Sequence, residues 1–120
     1  MILRKIMNKA IKIFKALSDK NRLRILLMLT KKKLCVCEIQ DILSITVSTV
    51  SKHLSILRDA GFILDEKDGK WVNYRLNTTS KDMILNQVIL ILPFYLNDDE
   101  LIKSDLIKVQ SVNRKNLCKI

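Results

Sequence analysis

Between Val36 and Gly61 the apolar residues fall into two short helical runs separated by three residues, and few folds accommodate that pattern. Val36, Ile39, Ile42 and Leu43 repeat at helical spacing, Ser44-Ile45-Thr46 interrupts, and Val47, Val50, Leu54 and Leu57 resume the repeat. Thr46 is a good N-cap, and Gly61 lies where a helix ends in a left-handed residue. The spacing predicts helices over Val36–Leu43 and 47–60 joined by a tight turn, a helix-turn-helix. The outer face of the second helix offers Ser48, Thr49, Ser51, Lys52, His53, Ser55 and Arg58. These are small or basic hydrogen-bonding groups with almost no acid among them, a set suited to a DNA groove.

The flanking segments extend this unit. Phe62-Ile63-Leu64 and Trp71–Leu76 read as strands joined by Asp65–Lys70, where Asp68-Gly69 is a hairpin signal. This wing, residues 62–76, carries Lys67 and Lys70 at its tip. They read either as phosphate contacts or as an ordinary solvated loop. Upstream, apolar residues at 3, 6, 7, 10, 13, 14 and 17 make a helical stripe with Lys5, Lys9, Lys12 and Lys15 off it. That pattern fits a packing helix, with a membrane-surface helix as the alternative. Ser18 and Asp19 can cap a second helix over Lys20–Thr30, which Lys31-Lys32-Lys33 close. Downstream, Thr78-Thr79-Ser80 can cap a helix from Lys81 that is apolar on most faces and that Pro93 should bend or end. One small domain cannot cover all of those faces, so a partner helix from a second copy is expected. Asp98, Asp99 and Glu100 open a last helix, and residues 112–120 read as a flexible tail. The expected fold is mostly α with a small β-hairpin, a single domain over 1–120.

Charge narrows the partners. Residues 1–33 hold eleven Lys or Arg against Asp19 alone, a net +10, while the remainder balances, so the whole excess is N-terminal. A polyanion is the natural counterpart. With two glycines and one proline the composition excludes disordered and collagen-like chains. The basic N-terminus has no unbroken apolar core or small-residue cleavage site, so it does not read as a signal peptide. The most apolar window, Val88–Leu96, is too short to span a bilayer. No membrane partner is expected.

Three cysteines, Cys35, Cys37 and Cys118, are too few and too oddly numbered for a disulfide framework, and they suit a reduced, cytoplasmic chain with functional thiols. Cys35 and Cys37 are two residues apart, so on a regular helix they do not face each other. One ion held by both would sit at a helix end or distort the helix. The Lys31–Lys33 run and the positive helix N-terminus should favour thiolate, which selects soft ions. The alternative is that both are small buried hydrophobes. A zinc-type site needs histidines at helical spacing, and His53 is the only histidine. An enzyme is not indicated, because the chain has no Cys-x-x-Cys and no glycine-rich phosphate loop.

Four segments, ALSDKNRLRILLML, LCVCEI, STVSKHLSILRDAGFI and DGKWVNYRLN, resemble the ArsR/SmtB family of metalloregulatory repressors, and the cysteine block resembles its arsenic- and antimony-responsive branch. The resemblance runs from Phe14 to Asn77. It implies a winged helix-turn-helix that dimerises through its first and penultimate helices, represses transcription from operator DNA, and lets go when a trivalent arsenic or antimony binds; other thiophilic ions are also possible. It assigns DNA contact to Ser48, Thr49, Ser51, Lys52 and His53, and makes residues 62–76, which carry Lys67 and Lys70, the wing. It assigns the ion to Cys35 and Cys37, with Cys118 as the remaining thiol, because Gln40 stands where that branch can carry a further cysteine. Val47 stands where many relatives have Gln, and Ser44 where Gly is usual. Within the same fold, a redox or reactive-sulfur sensor is the alternative, followed by a constitutive architectural DNA-binding protein.

Overall fold

A computed structural model describes residues 2–113, with side chains from Lys5 onward. In chain order the elements are α1 (Ile2–Leu17), α2 (Lys20–Leu29), β1 (Leu34–Cys35), α3 (Val36–Leu43), α4 (Val47–Asp59), β2 (Ile63–Asp68), β3 (Trp71–Leu76), α5 (Met83–Tyr95) and α6 (Glu100–Ser111). The strands form one antiparallel sheet in the order β1-β3-β2. This is a winged helix-turn-helix.

The expected hairpin is there, with two differences. Cys35 and Leu34 add a third strand, pairing with Asn73 and Tyr74 of β3. The segment expected as a loop is mostly strand: β2 runs to Asp68, which pairs with Trp71, so Gly69 and Lys70 alone make the turn. Gly69 has φ +60 and Lys70 does not share the positive φ, the pattern of a type II′ turn, which suits the twist of the flanking strands.

Helix ends follow local chemistry. Asp19 caps α2 by accepting from the Arg22 N–H at 3.0 Å, and Thr46 caps α4 by accepting from the Thr49 N–H at 3.2 Å. Asp82, rather than the Thr78–Ser80 run, caps α5, because its carboxylate reaches the N–H groups of Ile84 and Leu85 at 2.9 and 3.1 Å. α2 ends at Leu29, so the three lysines lie beyond its last turn instead of within it. Pro93 lies inside α5, which ends two residues later.

The turn between α3 and α4 places Ser44 at φ 58, ψ 43, a left-handed conformation rare for a residue with a side chain. At the far end of α4, Gly61 (φ +96) closes a Schellman motif. Its N–H donates to the Arg58 carbonyl, and the Phe62 N–H donates to the Leu57 carbonyl, both at 3.0 Å.

Phe62 and Leu57 are themselves fully buried, so this cap also anchors the start of the wing in the core. Val50 and Leu54 complete the buried edge of α4, packed with Ile25 and Met28 of α2 and Ile39 and Ile42 of α3. α6 is tied to α2 by Arg24, whose guanidinium donates to both carboxylate oxygens of Asp105 at 2.9 and 3.0 Å. Asp105 is wholly buried, so removing Arg24 would leave an uncompensated charge, at a cost of about 3–5 kcal/mol.

Gly61 and Ser44, both at positive φ, should respond with opposite signs in urea unfolding. Gly61→Ala adds a Cβ 2.9 Å from Leu85 Cδ1 at a left-handed φ and should lose about 1–2 kcal/mol. Ser44→Gly relieves a left-handed residue at an exposed site and should gain about 0.5 kcal/mol.

Candidate nucleic-acid interface and thiol corner

α4 buries only the edge carrying Val50, Leu54 and Leu57, so its opposite face is free. Ser48, Thr49, Ser51 and Lys52 are exposed there, beside a half-exposed Val47. Thr46, Ser48 and Thr49 are linked through their hydroxyls, with Thr46 Oγ1 at 3.2 and 2.8 Å from the other two, which orders the first turn. Val47 adds a methyl-bearing surface of the kind that packs on a thymine methyl group. Lys67 and Lys70 are exposed on the wing.

His53 does not share that face. Its ring turns to α2, where Nδ1 lies 3.2 Å from Arg22 Nη1 and Nε2 3.9 Å from Asp19 Oδ2. A guanidinium only donates, so Nδ1 accepts and Nε2 carries the proton of a neutral ring. His53, expected among the contact residues, thus has both ring nitrogens turned toward α2 side chains. Arg22 also donates to the carbonyls of Ala16 and Lys15 at 2.8 and 3.1 Å, so it stitches the end of α1 to α4.

The cysteines sit at the junction of sheet and helix. Cys35 is the last residue of β1 and the N-cap of α3, with its thiol buried. Its N–H donates to Glu38 Oε1 at 2.9 Å, and its sulfur faces the first-turn N–H groups, a capping box with sulfur in place of the usual hydroxyl. Burial pushes the Cys35 thiol up, opposed by the backbone N–H of Glu38 and reinforced by the Glu38 carboxylate. This corrects the expectation that the lysine run favours thiolate here. The ammonium of Lys33 is engaged with Glu66 of the wing at 3.2 Å, and desolvation dominates. Cys37 is disulfide-bonded. Cys118 lies outside the described residues. Among the described residues no group of three or more His, Cys, Asp or Glu side chains is placed to hold a metal ion, and no helix is long and apolar enough to cross a membrane.

Residues 19–64 match the family described as bacterial regulatory protein, arsR family. The arsenical resistance operon repressor of Escherichia coli K12 is 46% identical over 68 residues, covering 56% of this chain and 58% of that one. The arsenical resistance operon repressor of Bacillus subtilis is 41% identical over 75 residues, covering 62% of this chain and 71% of that protein. The chain belongs to the arsR family.

Among solved structures, HlyU from Vibrio cholerae matches with a TM-score of 0.66 and 31% identity, over 78% of this chain and 98% of that one. The chain spans about half to three fifths of the length of several curated relatives it matches. These relatives are named as regulators, not enzymes.

For this arsR-family chain, three features of the site went unread in the sequence. Cys35-x-x-Glu38 has the spacing of a capping box and was findable by allowing Cys at the cap. The β1 pairing of Cys35 with Asn73 had no signal, since two residues carry no periodicity. Arg22 had none either, because its partners are 6, 7 and 31 positions away.

Burial, more than its charged neighbours, holds His53 below its ordinary value of 6.5, with Asp19 opposing and Arg22 and Lys52 reinforcing. Above that value the ring is neutral in both folded and unfolded chains. As pH falls below it the unfolded chain takes the proton first, so stability drops until the pH passes through the folded-state value. Stability to urea should therefore fall as the pH drops below 6.5, with a slope of at most about 1.4 kcal/mol per pH unit. His53→Gln should flatten that part of the curve.

Proposed function

We propose that the chain is a transcriptional repressor that binds operator DNA as a homodimer and releases it when a soft trivalent ion, arsenic or antimony, binds its cysteine thiols. The observation that carries this reading is the position of Cys35: one residue caps the support helix α3 and pairs with wing strand β3. The DNA-facing groups are Ser48, Thr49, Ser51 and Lys52 on α4, with Lys67 and Lys70 on the wing. His53 holds α4 against α2. Dimerisation uses exposed apolar side chains on the helices flanking the unit: Met7 and Phe14 of α1, at 62% and 57% exposure, and Leu90, Phe94 and Tyr95 of α5, at 61%, 74% and 81%. Faces this apolar are costly in water and are relieved by a second copy. Its place of action is the cytoplasm, where operator DNA lies.

The donor chemistry fits the ion. In the reduced protein, with the disulfide at Cys37 opened, Cys35 and Cys37 supply two soft sulfurs within one helical turn, and Cys118 is the remaining cysteine for a third. When bound, such an ion supplies strong bonds to thiolate sulfur. For Cys35 to serve, its sulfur must leave the buried cap. The first-turn N–H groups of α3 then lose their acceptor, at about 1 kcal/mol, and the Cys35–Asn73 register loses its anchor. Both changes reach the DNA-facing unit, one through α3 to α4 and the other through β3 to the wing. Ion binding and DNA binding therefore oppose each other reciprocally.

A second reading is favoured by the disulfide at Cys37, in which an oxidant in place of a metalloid triggers release. Fluorescence anisotropy on labelled promoter DNA separates the two. The reduced protein should bind, and near-stoichiometric arsenite should release it. Cys35→Ser, which keeps a competent cap, should bind DNA normally and ignore arsenite. Release by peroxide with no response to arsenite would favour the second reading, and a complex unmoved by either would contradict thiol sensing.

A further inference from the structure

We propose that the corner where α1 meets α2 is a second DNA-backbone contact, which grips the duplex on the opposite flank of α4 from the wing. The inference rests on the DNA-binding reading above and adds residues that neither the helix-turn-helix nor the wing contains.

α4 has two flanks beside its buried edge. On one, Arg58 pairs with Asp65 of β2 at 3.2 Å, so the wing lies along that side. On the other, His53 packs on Asp19 and Arg22, and Arg22 holds the last turn of α1 through the Lys15 and Ala16 carbonyls. An α-helix with its side chains is about 10–12 Å across and the major groove of B-DNA is about 12 Å wide, so a helix seated there fills it. Groups on its two flanks then face the two phosphate ridges bordering the groove. The wing serves one ridge. The α1–α2 corner is the element positioned for the other.

Charge at the corner suits that role. Lys12, Lys15 and Lys20 are exposed there, and none of them forms an ion pair among the described residues. An open groove of about 520 Å³ lies between α1 and α4, with Lys12, Lys15, Arg22, Ile56 and Asp59 among its lining residues. Two acids lie close by. Asp19 is committed to capping α2, and Asp59 sits 3.9 Å from Arg58. Three other N-terminal cations are engaged elsewhere: Lys9 pairs with Asp82, Arg24 with Asp105 and Lys33 with Glu66. The N-terminal excess of +10 thus leaves unpaired lysines beside the recognition helix, where a phosphate backbone is the complementary surface.

The test measures the salt dependence of promoter binding for wild type, Lys52→Ala and the double variant Lys15→Gln/Lys20→Gln. Both substituted lysines of the double variant are exposed, so folding should be untouched. The double variant should flatten the slope of log K against log salt by about two, weakening all sequences alike and leaving base preference intact. Lys52→Ala should flatten it by about one. Wild-type binding with a double-variant slope equal to wild type would overturn the corner contact and leave the DNA reading standing. Failure of the wild type to bind any promoter fragment would overturn both.

Discussion

At Cys35 the chain turns from strand to helix without leaving the core, and the geometry of the DNA-facing unit depends on that turn. The residue pairs with Asn73 in the sheet, gives its N–H to Glu38, and offers its sulfur to the first turn of α3. A hydroxyl would cap the helix as well or better. A thiol caps it less strongly but can be drawn away by chemistry that a hydroxyl ignores. Because burial disfavours the thiolate, the sulfur rests as a neutral cap.

From that corner the structure splits into two paths. α3 passes through the left-handed Ser44 to α4, and β3 runs out to the wing. The paths meet again where the Schellman cap of α4 buries Phe62 at the start of β2. A disturbance at Cys35 therefore enters a closed loop of packed elements. On the outer side of α4, His53 and Arg22 fix the helix to α2 and α1, while Arg24 and Asp105 lock α2 to α6. The outer polar face of α4 and the apolar faces of α1 and α5 are left over by this packing. The first suits a polar groove and the second a like surface.

Much of this was legible in the sequence because the signals are local. Periodicity placed α3 with both ends correct, Thr46 and Gly61 bounded α4, and Asp68-Gly69 located the hairpin turn. The fold followed from those segments in order. The errors came from competition that local rules do not see. Asp82 outcompeted the hydroxyl run before α5 because a carboxylate is the stronger acceptor and sits two residues closer to the helix than Ser80. The strand β2 extended through charged residues because its partner β3 offered a continuous ladder, and β1 exists only because β3 has a second edge. His53 looked like a surface residue because its position around α4 lies at the border between exposed and buried faces. The presence of Arg22 across that border decided the matter. The direction of the Cys35 shift was misjudged for a similar reason: sequence gives the number of nearby lysines, but not where their ammonium groups point or how deep the sulfur lies.

The central claim is that the thiol corner moves α3 and the wing together. Amide hydrogen exchange of the reduced, DNA-free protein, with and without arsenite, tests it most directly. The account predicts loss of protection in the first turn of α3, at Cys37 and Glu38, together with loss along the β1–β3 pairing at Asn73 and Tyr74. Unchanged protection in both segments with arsenite bound would contradict it.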